Sequence, residues 1–116
     1  MKENVIKTRS FAFSVKIVNL YKFLIAEKKE FVLSRQLLRS GTSIGAMVRE
    51  AEQAESRADF IHKLAIGLKE ANETDYWLDL LKETDYISVL EYNEIKIDIS
   101  EILKLLTKII KTSKSS

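Results

Sequence analysis

The sequence predicts an all-α protein, an antiparallel up-down-up-down four-helix bundle formed by one domain over residues 1–116. Helix-breaking residues are scarce, since the chain has no proline and only three glycines. Apolar residues recur at helical spacing in four consecutive segments, which short polar clusters separate. Short connections favour antiparallel neighbours, and a chain of this length can bury roughly two thirds of its unfolded surface in a single core.

The first helix is predicted over residues 9–28 and carries two apolar stripes. One stripe contains Phe11, Val15 and Val18, and the other contains Phe13, Ile17, Leu20 and Leu24. A helix of a monomeric bundle needs only one apolar face, so the extra stripe predicts a contact between subunits. The residues predicted to form this interface are Phe11, Phe13, Ile17 and Leu20. A central helix with one broad buried face is the alternative interpretation.

The second helix is predicted over residues 31–54 and contains a group of small residues. Gly41 and Gly45 lie four residues apart among serine, threonine and alanine. Each glycine costs roughly 1 kcal/mol of helix stability relative to alanine, which indicates a packing role. A face without bulk permits close approach of another backbone, so Gly41 and Gly45 join the predicted interface. A phosphate-binding loop is rejected, because the Lys and Ser/Thr ending of a P-loop is missing.

The third and fourth helices are predicted over residues 57–84 and 89–111 from their start signals. Ser56 with Asp59 resembles a capping box, and Ser88 with Glu91 forms a second one. The fourth helix carries a heptad-like apolar seam of Ile95, Ile99, Ile102, Leu106 and Ile109. The tail over residues 112–116 has no apolar residue and is predicted to fray.

Charge is distributed unevenly along the chain, although the net charge is only +2. Residues 1–49 hold ten Lys/Arg against three Glu, and residues 50–101 hold five Lys/Arg against fourteen acids. Residues 102–116 hold four lysines and no acid. This basic, acidic, basic order can produce a bipolar surface once the helices pack side by side. The alternative is that the charges pair between neighbouring helices of one bundle.

The arginines of the second helix are the first candidates for contact with nucleic acid. Arg35 and Arg39 are one turn apart, and Arg49 lies beyond the small-residue face. Arginine presents a planar fork of donors that matches a phosphate group. The lysines that extend this candidate site are Lys16, Lys22, Lys28 and Lys29.

A structural role is the alternative interpretation for the same arginines. Their partners would then be acids of the same or a neighbouring helix, such as Glu52, Glu70, Glu73 or Asp75.

No group of residues in the sequence indicates catalysis, a metal site or a cofactor. The absence of cysteine excludes disulfides and thiolate ligands and favours a cytoplasmic location. Asp59 and His62 have the spacing of di-iron bundle ligands, but His62 is the sole histidine and such sites need two histidine motifs. The longest apolar runs are only four residues, which predicts no membrane span. We therefore predict a protein that is not an enzyme.

The stretch from Ser34 to Leu81 resembles a known family. It reads SRQLLRSGTSIGAMVREA over residues 34–51 and ESRADFIHKLAIGLKEANETDYWLDLL over residues 55–81. This pattern is similar to the four-helix bundle proteins encoded in intervening sequences of bacterial 23S rRNA genes. The resemblance implies a ring of protomers, usually a pentamer. It also extends to the accessory proteins of diversity-generating retroelements, which bind nucleic acid and a reverse transcriptase. Met47 departs from the pattern, since the family commonly has Asn there.

These observations predict a ring-forming helical bundle that binds RNA or DNA through its basic N-terminal half. It would act as an adaptor for a nucleic-acid-processing partner, such as the reverse transcriptase that the resemblance implies. The alternative is a protein-interaction scaffold that does not bind nucleic acid and whose acidic segment engages a basic protein.

Overall fold

The protein is described by a computed structural model over residues 4–115, and this range contains four α-helices and no β-strand. The helices are α1 (Val5–Ala26), α2 (Leu33–Glu52), α3 (Arg57–Glu83) and α4 (Val89–Lys114). The predicted all-α fold with four helices is confirmed.

The helix ends differ from the predictions where polar side chains cap the backbone. α1 begins four residues earlier than predicted, because the side chain of Asn4 accepts a hydrogen bond from the backbone N–H of Lys7 at 3.2 Å. The prediction of a frayed tail is wrong for residues 112–114, which continue α4. Lysines in the last turn, Lys111 and Lys114, favour this extension through the helix dipole. Ser116 lies outside the described residues.

Each helix packs against the next along the chain, and α1 and α4 close the bundle with a smaller contact. Between α1 and α2, Asn4 hydrogen-bonds Glu52, while Ile17 lies beside Gly41. Between α2 and α3, Glu50 pairs with Lys63, while Ser40 accepts a hydrogen bond from Thr74 at 2.9 Å. In both pairs the residue number rises on one helix as it falls on the other, which is consistent with up-down-up-down topology.

The core runs along the axis of the bundle and draws on all four helices. Its largest fully buried side chains include Ile17 of α1, Leu37 and Ile44 of α2, Leu64 and Leu78 of α3, and Ile99, Ile102 and Leu106 of α4. Two residues predicted in a subunit interface belong to this core, since Phe13 is 2% exposed and Ile17 is 0% exposed. Leu20 is half-buried and packs against the same core. For Phe13 and Ile17 the interface prediction is therefore wrong, because they pack within their own chain.

The small residues of α2 admit α1 of the same chain. A Cβ atom added at Gly41 would lie 2.8 Å from two side-chain carbons of Ile17, and one added at Gly45 would lie 3.2 Å from Ser14 Oγ. Both distances are too short for an ordinary side-chain contact. The predicted close approach of another backbone thus occurs between α1 and α2 of one chain.

Candidate nucleic-acid interface

Arg39 holds α2 against α3. Its guanidinium lies 3.3 Å from Glu70 Oε1 and also pairs with Glu73. Glu73 is further bound by the indole N–H of Trp77 at 3.0 Å. The Trp77 and Arg39 hydrogen bonds together hold the pKa of Glu73 below its usual value. For Arg39 the structural alternative is therefore correct, since both of its partners come from α3.

Lys16 has a similar structural role between α1 and α4. Its Nζ atom lies 2.5 Å from Asp98 Oδ2, and two turns away Arg9 lies 2.6 Å from Glu101 Oε1. These pairs bridge the seam where α1 and α4 meet. Their charges are matched within the chain, so Lys16 contributes little net charge to a surface for phosphate.

Arg49 and Lys28 lie over aromatic rings. The guanidinium carbon of Arg49 is 5.3 Å from the ring centroid of Phe11, and Lys28 Nζ is 5.9 Å from that of Phe23. Neither cation forms an ion pair with an acid between residues 4 and 115. Both cations keep their charge toward solvent, because both side chains are exposed.

Arg35, Lys22 and Lys29 form no ion pair with any residue between 4 and 115. All three are exposed and lie near the turn that joins α1 to α2. The predicted pair of Arg35 and Arg39 does not act as one phosphate fork, because Arg39 is engaged with α3.

Glu30 fixes the geometry of this turn. Lys29 before it has a φ of 53°, in the left-handed region. The carboxylate of Glu30 then accepts hydrogen bonds from the backbone N–H groups of Val32, Leu33 and Ser34, at 3.2, 3.0 and 2.6 Å. Burial alone would raise the pKa of Glu30, but these bonds outweigh it and lower the pKa. The start of α2 is thereby positioned beside the end of α1.

A second basic site, which the candidate residues from the sequence do not include, lies between α3 and α4. It is an open groove of about 560 Å³, with Lys104, Lys108 and Lys111 along its α4 side. We call it the lysine groove. Its remaining lining is Leu68 and Asn72 from α3 and Leu103 and Thr107 from α4. The signal in the sequence was the run of four lysines without an acid over residues 102–116.

No carboxylate lines the lysine groove. Among the described residues, its three lysines form no ion pair, and the same holds for Lys114 one turn further on. The acids nearest in sequence are engaged elsewhere, since Glu101 pairs with Arg9 and Glu73 pairs with Arg39. The groove therefore presents three uncompensated positive charges.

Comparison with known proteins shows to which family the chain belongs. The family model described as 23S rRNA-intervening sequence protein matches residues 2–108. The chain belongs to this family. No curated protein matches it.

A solved structure supports membership of the intervening-sequence family. It is the crystal structure of a protein with unknown function from the S23 ribosomal protein family of Bacteroides thetaiotaomicron. The two chains are 66% identical and superpose with a TM-score of 0.93, over 96% of this chain and 99% of the other. The four-helix architecture is thus shared along almost the whole of both chains.

In this member of the intervening-sequence family, Met47 stands where the resemblance implies an Asn. Met47 faces α3, since a Cβ atom added at Gly67 would lie 3.4 Å from the Met47 Cβ. The position therefore contributes to the packing of α2 on α3.

The rest of the surface of this family member offers no metal centre within the described residues, where no three His, Cys, Asp or Glu side chains converge. Asp59 lies in the first turn of α3, where its carboxylate accepts a hydrogen bond from the backbone N–H of Glu55 at 3.2 Å. Between residues 4 and 115, no helix is both long and apolar enough to span a bilayer.

Proposed function

We propose that this protein is not an enzyme and that it binds RNA or DNA as a homo-oligomeric adaptor. One observation carries the proposal, namely that two groups of exposed cations form no ion pair with the described acids. One group, Lys22, Lys29 and Arg35, lies near the turn between α1 and α2, and the other lines the lysine groove. Unpaired surface cations bind phosphates by releasing the counterions that surround a nucleic acid.

The acids of α3 and α4 support the same proposal, because many of them are neutralised within the chain. Asp75 and Asp79 both contact Lys96, and burial of that ammonium is outweighed by the two carboxylates, so the pKa of Lys96 is raised. An acid that is held in an internal ion pair repels phosphate less than a free one does. The lack of cysteine fits a reducing cytoplasm, where nucleic acid is available.

Self-association is the second part of the proposal. Phe11, which the sequence predicts in an interface, and Val15 of the same stripe lie one turn apart on α1 and remain 56% and 47% exposed. The pentameric ring is implied by the family resemblance. A ring would repeat each basic group around its axis and increase the number of phosphates that one assembly contacts.

A salt titration tests the binding proposal. The purified protein is titrated into fluorescent single-stranded RNA, single-stranded DNA and duplex DNA, and binding is followed by fluorescence anisotropy. We expect micromolar or tighter binding to at least one of them near physiological salt, with a steep loss of affinity as salt rises. Absence of binding to all three at low salt would show that the proposal is wrong.

A protein scaffold is the second candidate function, and exposed apolar residues favour it. Phe31 and Val32 before α2 and Val89 and Leu90 at the start of α4 are between 55% and 71% exposed. Such residues fit a protein partner, and a reverse transcriptase is the one that the resemblance implies. Affinity purification after nuclease treatment tests this candidate. Recovery of one stoichiometric protein supports it, and recovery of none contradicts it.

A further inference from the structure

We infer that the lysine groove binds a single-stranded segment of nucleic acid, with phosphates along its three lysines and a base over its apolar floor. This inference rests on the proposed function, and it assigns the main contact to α3 and α4 rather than to the N-terminal half of the chain. Lys104, Lys108 and Lys111 line the groove from one face of α4, with Thr107 between them.

The three lysines are close enough together to contact successive phosphates of one strand. Positions four and three residues apart on a helix lie about 6 Å and about 4.5 Å apart along its axis. Three charges are thus presented within about 10 Å along one face of α4. Lysine binds phosphate as a point charge and does not need the fixed geometry of an arginine fork.

Helix stabilisation does not account for all three lysines. Lys111 lies in the last turn of α4, where a cation interacts favourably with the helix dipole. Lys104 and Lys108 lie before that turn, where the dipole effect has fallen off. Neither has an acid three or four residues away that is free to pair, because Glu101 is held by Arg9. The positive charges of Lys104 and Lys108 are therefore available to bind an anionic ligand.

The floor of the groove suits a base. Leu68 and Leu103 are half-buried and provide an apolar surface between the two helices. Asn72 uses one amide hydrogen on the carbonyl of Leu68 at 3.2 Å, which leaves a second hydrogen and the amide oxygen available. The hydroxyl of Thr107 donates to the carbonyl of Leu103 at 2.8 Å and keeps its lone pairs.

These features favour a single strand over a duplex. The apolar floor can contact the face of a base only if that base is unstacked, as in a single strand. A duplex keeps its bases paired and stacked and would offer mainly its phosphates to the groove. The polar groups beside the floor can then hydrogen-bond the edge of that base. An acidic protein segment would use the lysines as well, but it would not present charges at the regular spacing of a phosphate backbone.

Two charge-matched variants of the full chain test the inference. K104Q/K108Q/K111Q removes three charges from the groove, and K22Q/K29Q/R35Q removes three charges near the turn between α1 and α2. At 0.1 M salt each single-strand phosphate contact contributes about 0.7 log unit, so the groove variant should bind oligouridine about 100-fold more weakly. The turn variant removes the second group of candidate cations and should also lose affinity, but only about fivefold, the equivalent of one contact.

Footprinting of the unmodified chain gives a second readout that does not depend on the folding of any variant. Lysine acetylation, read by mass spectrometry, should be slowed by oligouridine at Lys104, Lys108 and Lys111, and slowed less at Lys22 and Lys29. Protection by duplex DNA at equal concentration should be weaker.

The outcomes separate the inference from the proposed function. If the wild-type protein binds nucleic acid but both triple variants lose equal affinity, the inference is wrong and the proposed function stands. If the wild-type protein binds no nucleic acid, both are wrong. Equal or greater protection by duplex overturns the single-strand assignment. If polyglutamate protects the three lysines and oligouridine does not, the inference is wrong and the ligand of the groove is an acidic protein segment.

Discussion

At the residue scale, the roles of individual charges follow from what each side chain contacts. Arg39 and Arg35 are the same residue type one turn apart on α2, yet Arg39 binds two carboxylates of α3 and Arg35 binds none of the described acids. Glu30 is an acid whose partners are all in the segment that begins α2. The sign of a side chain's charge therefore does not show whether the residue stabilises the fold or is available to bind a ligand.

Glu30→Gln should destabilise the protein. The neutral amide has one acceptor oxygen for the N–H groups of Val32, Leu33 and Ser34, and it loses the charge that strengthens those bonds. We expect a loss of about 1–3 kcal/mol in the free energy of unfolding at pH 7, measured by urea denaturation. Glu27→Gln is the control, since Glu27 is exposed and the change in charge is equal. Its effect should stay below about 0.5 kcal/mol.

The effect of Glu30→Gln should depend on pH. The pKa of Glu30 is lowered in the folded protein from its ordinary value of 4.5, so the carboxylate stabilises the fold above that pH. This stabilisation is lost as pH falls through the lower, folded pKa. The difference between wild type and variant should therefore shrink under acid conditions. A difference that stays constant from pH 7 to pH 3 would contradict the role assigned to the carboxylate.

At the element scale, the contact of α1 with α2 depends on glycine. Gly41→Ala would place a methyl group 2.8 Å from the fully buried side chain of Ile17. Overpacking of this kind costs about 1–3 kcal/mol, and the gain in helix propensity of about 1 kcal/mol offsets only part of it. We expect a net loss of up to about 2 kcal/mol in the free energy of unfolding, measured by urea denaturation.

Gly67→Ala is the matched control, because its new Cβ would meet Met47 at 3.4 Å, an ordinary van der Waals distance. The helix propensity gain should then dominate and stabilise the protein by up to about 1 kcal/mol. Equal effects of the two substitutions would show that close packing against α1 is not the reason for Gly41.

The four helices were predictable because each carries its own local signals. Apolar periodicity and the caps at Ser56 and Ser88 depend only on neighbouring residues, and both caps are present in the structure. The start of α1 was missed because its cap, Asn4, precedes the apolar repeat. Which charges pair was not predictable, since the contact of Arg39 with Glu73 depends on the register between α2 and α3, and periodicity does not set that register.

The lysine groove was also predictable only in part, because its lysines are a local signal and its shape depends on how α3 packs against α4. The run of lysines after residue 102 is visible in the sequence, but the groove that it lines exists only because α3 brings Leu68 and Asn72 beside α4. Two apolar stripes look alike in sequence whether they face the core or a second subunit, so the sequence does not distinguish the buried residues Phe13 and Ile17 from interface residues.

At the scale of the whole molecule, exposed apolar residues on α1 predict self-association. F11S/V15S should dissociate the homo-oligomer, because it removes the apolar surface that α1 presents outside the core. V89S/L90S is the control, since it also replaces two exposed apolar residues by serine, at the start of α4. Mass measurement by multi-angle light scattering should give a multimer for wild type and control and a monomer for F11S/V15S. A monomeric wild-type protein, or an unchanged mass for F11S/V15S, would contradict the assignment.

The central claim is that uncompensated lysines of the lysine groove bind the phosphates of nucleic acid. The most direct test is the salt dependence of oligouridine affinity for the wild-type protein and for K104Q/K108Q/K111Q. Each single-strand phosphate contact contributes about 0.7 to the slope of log affinity against log salt, so loss of three contacts should make the slope shallower by about 2. Equal slopes for the two proteins would contradict the claim, because the three lysines would then engage no phosphate.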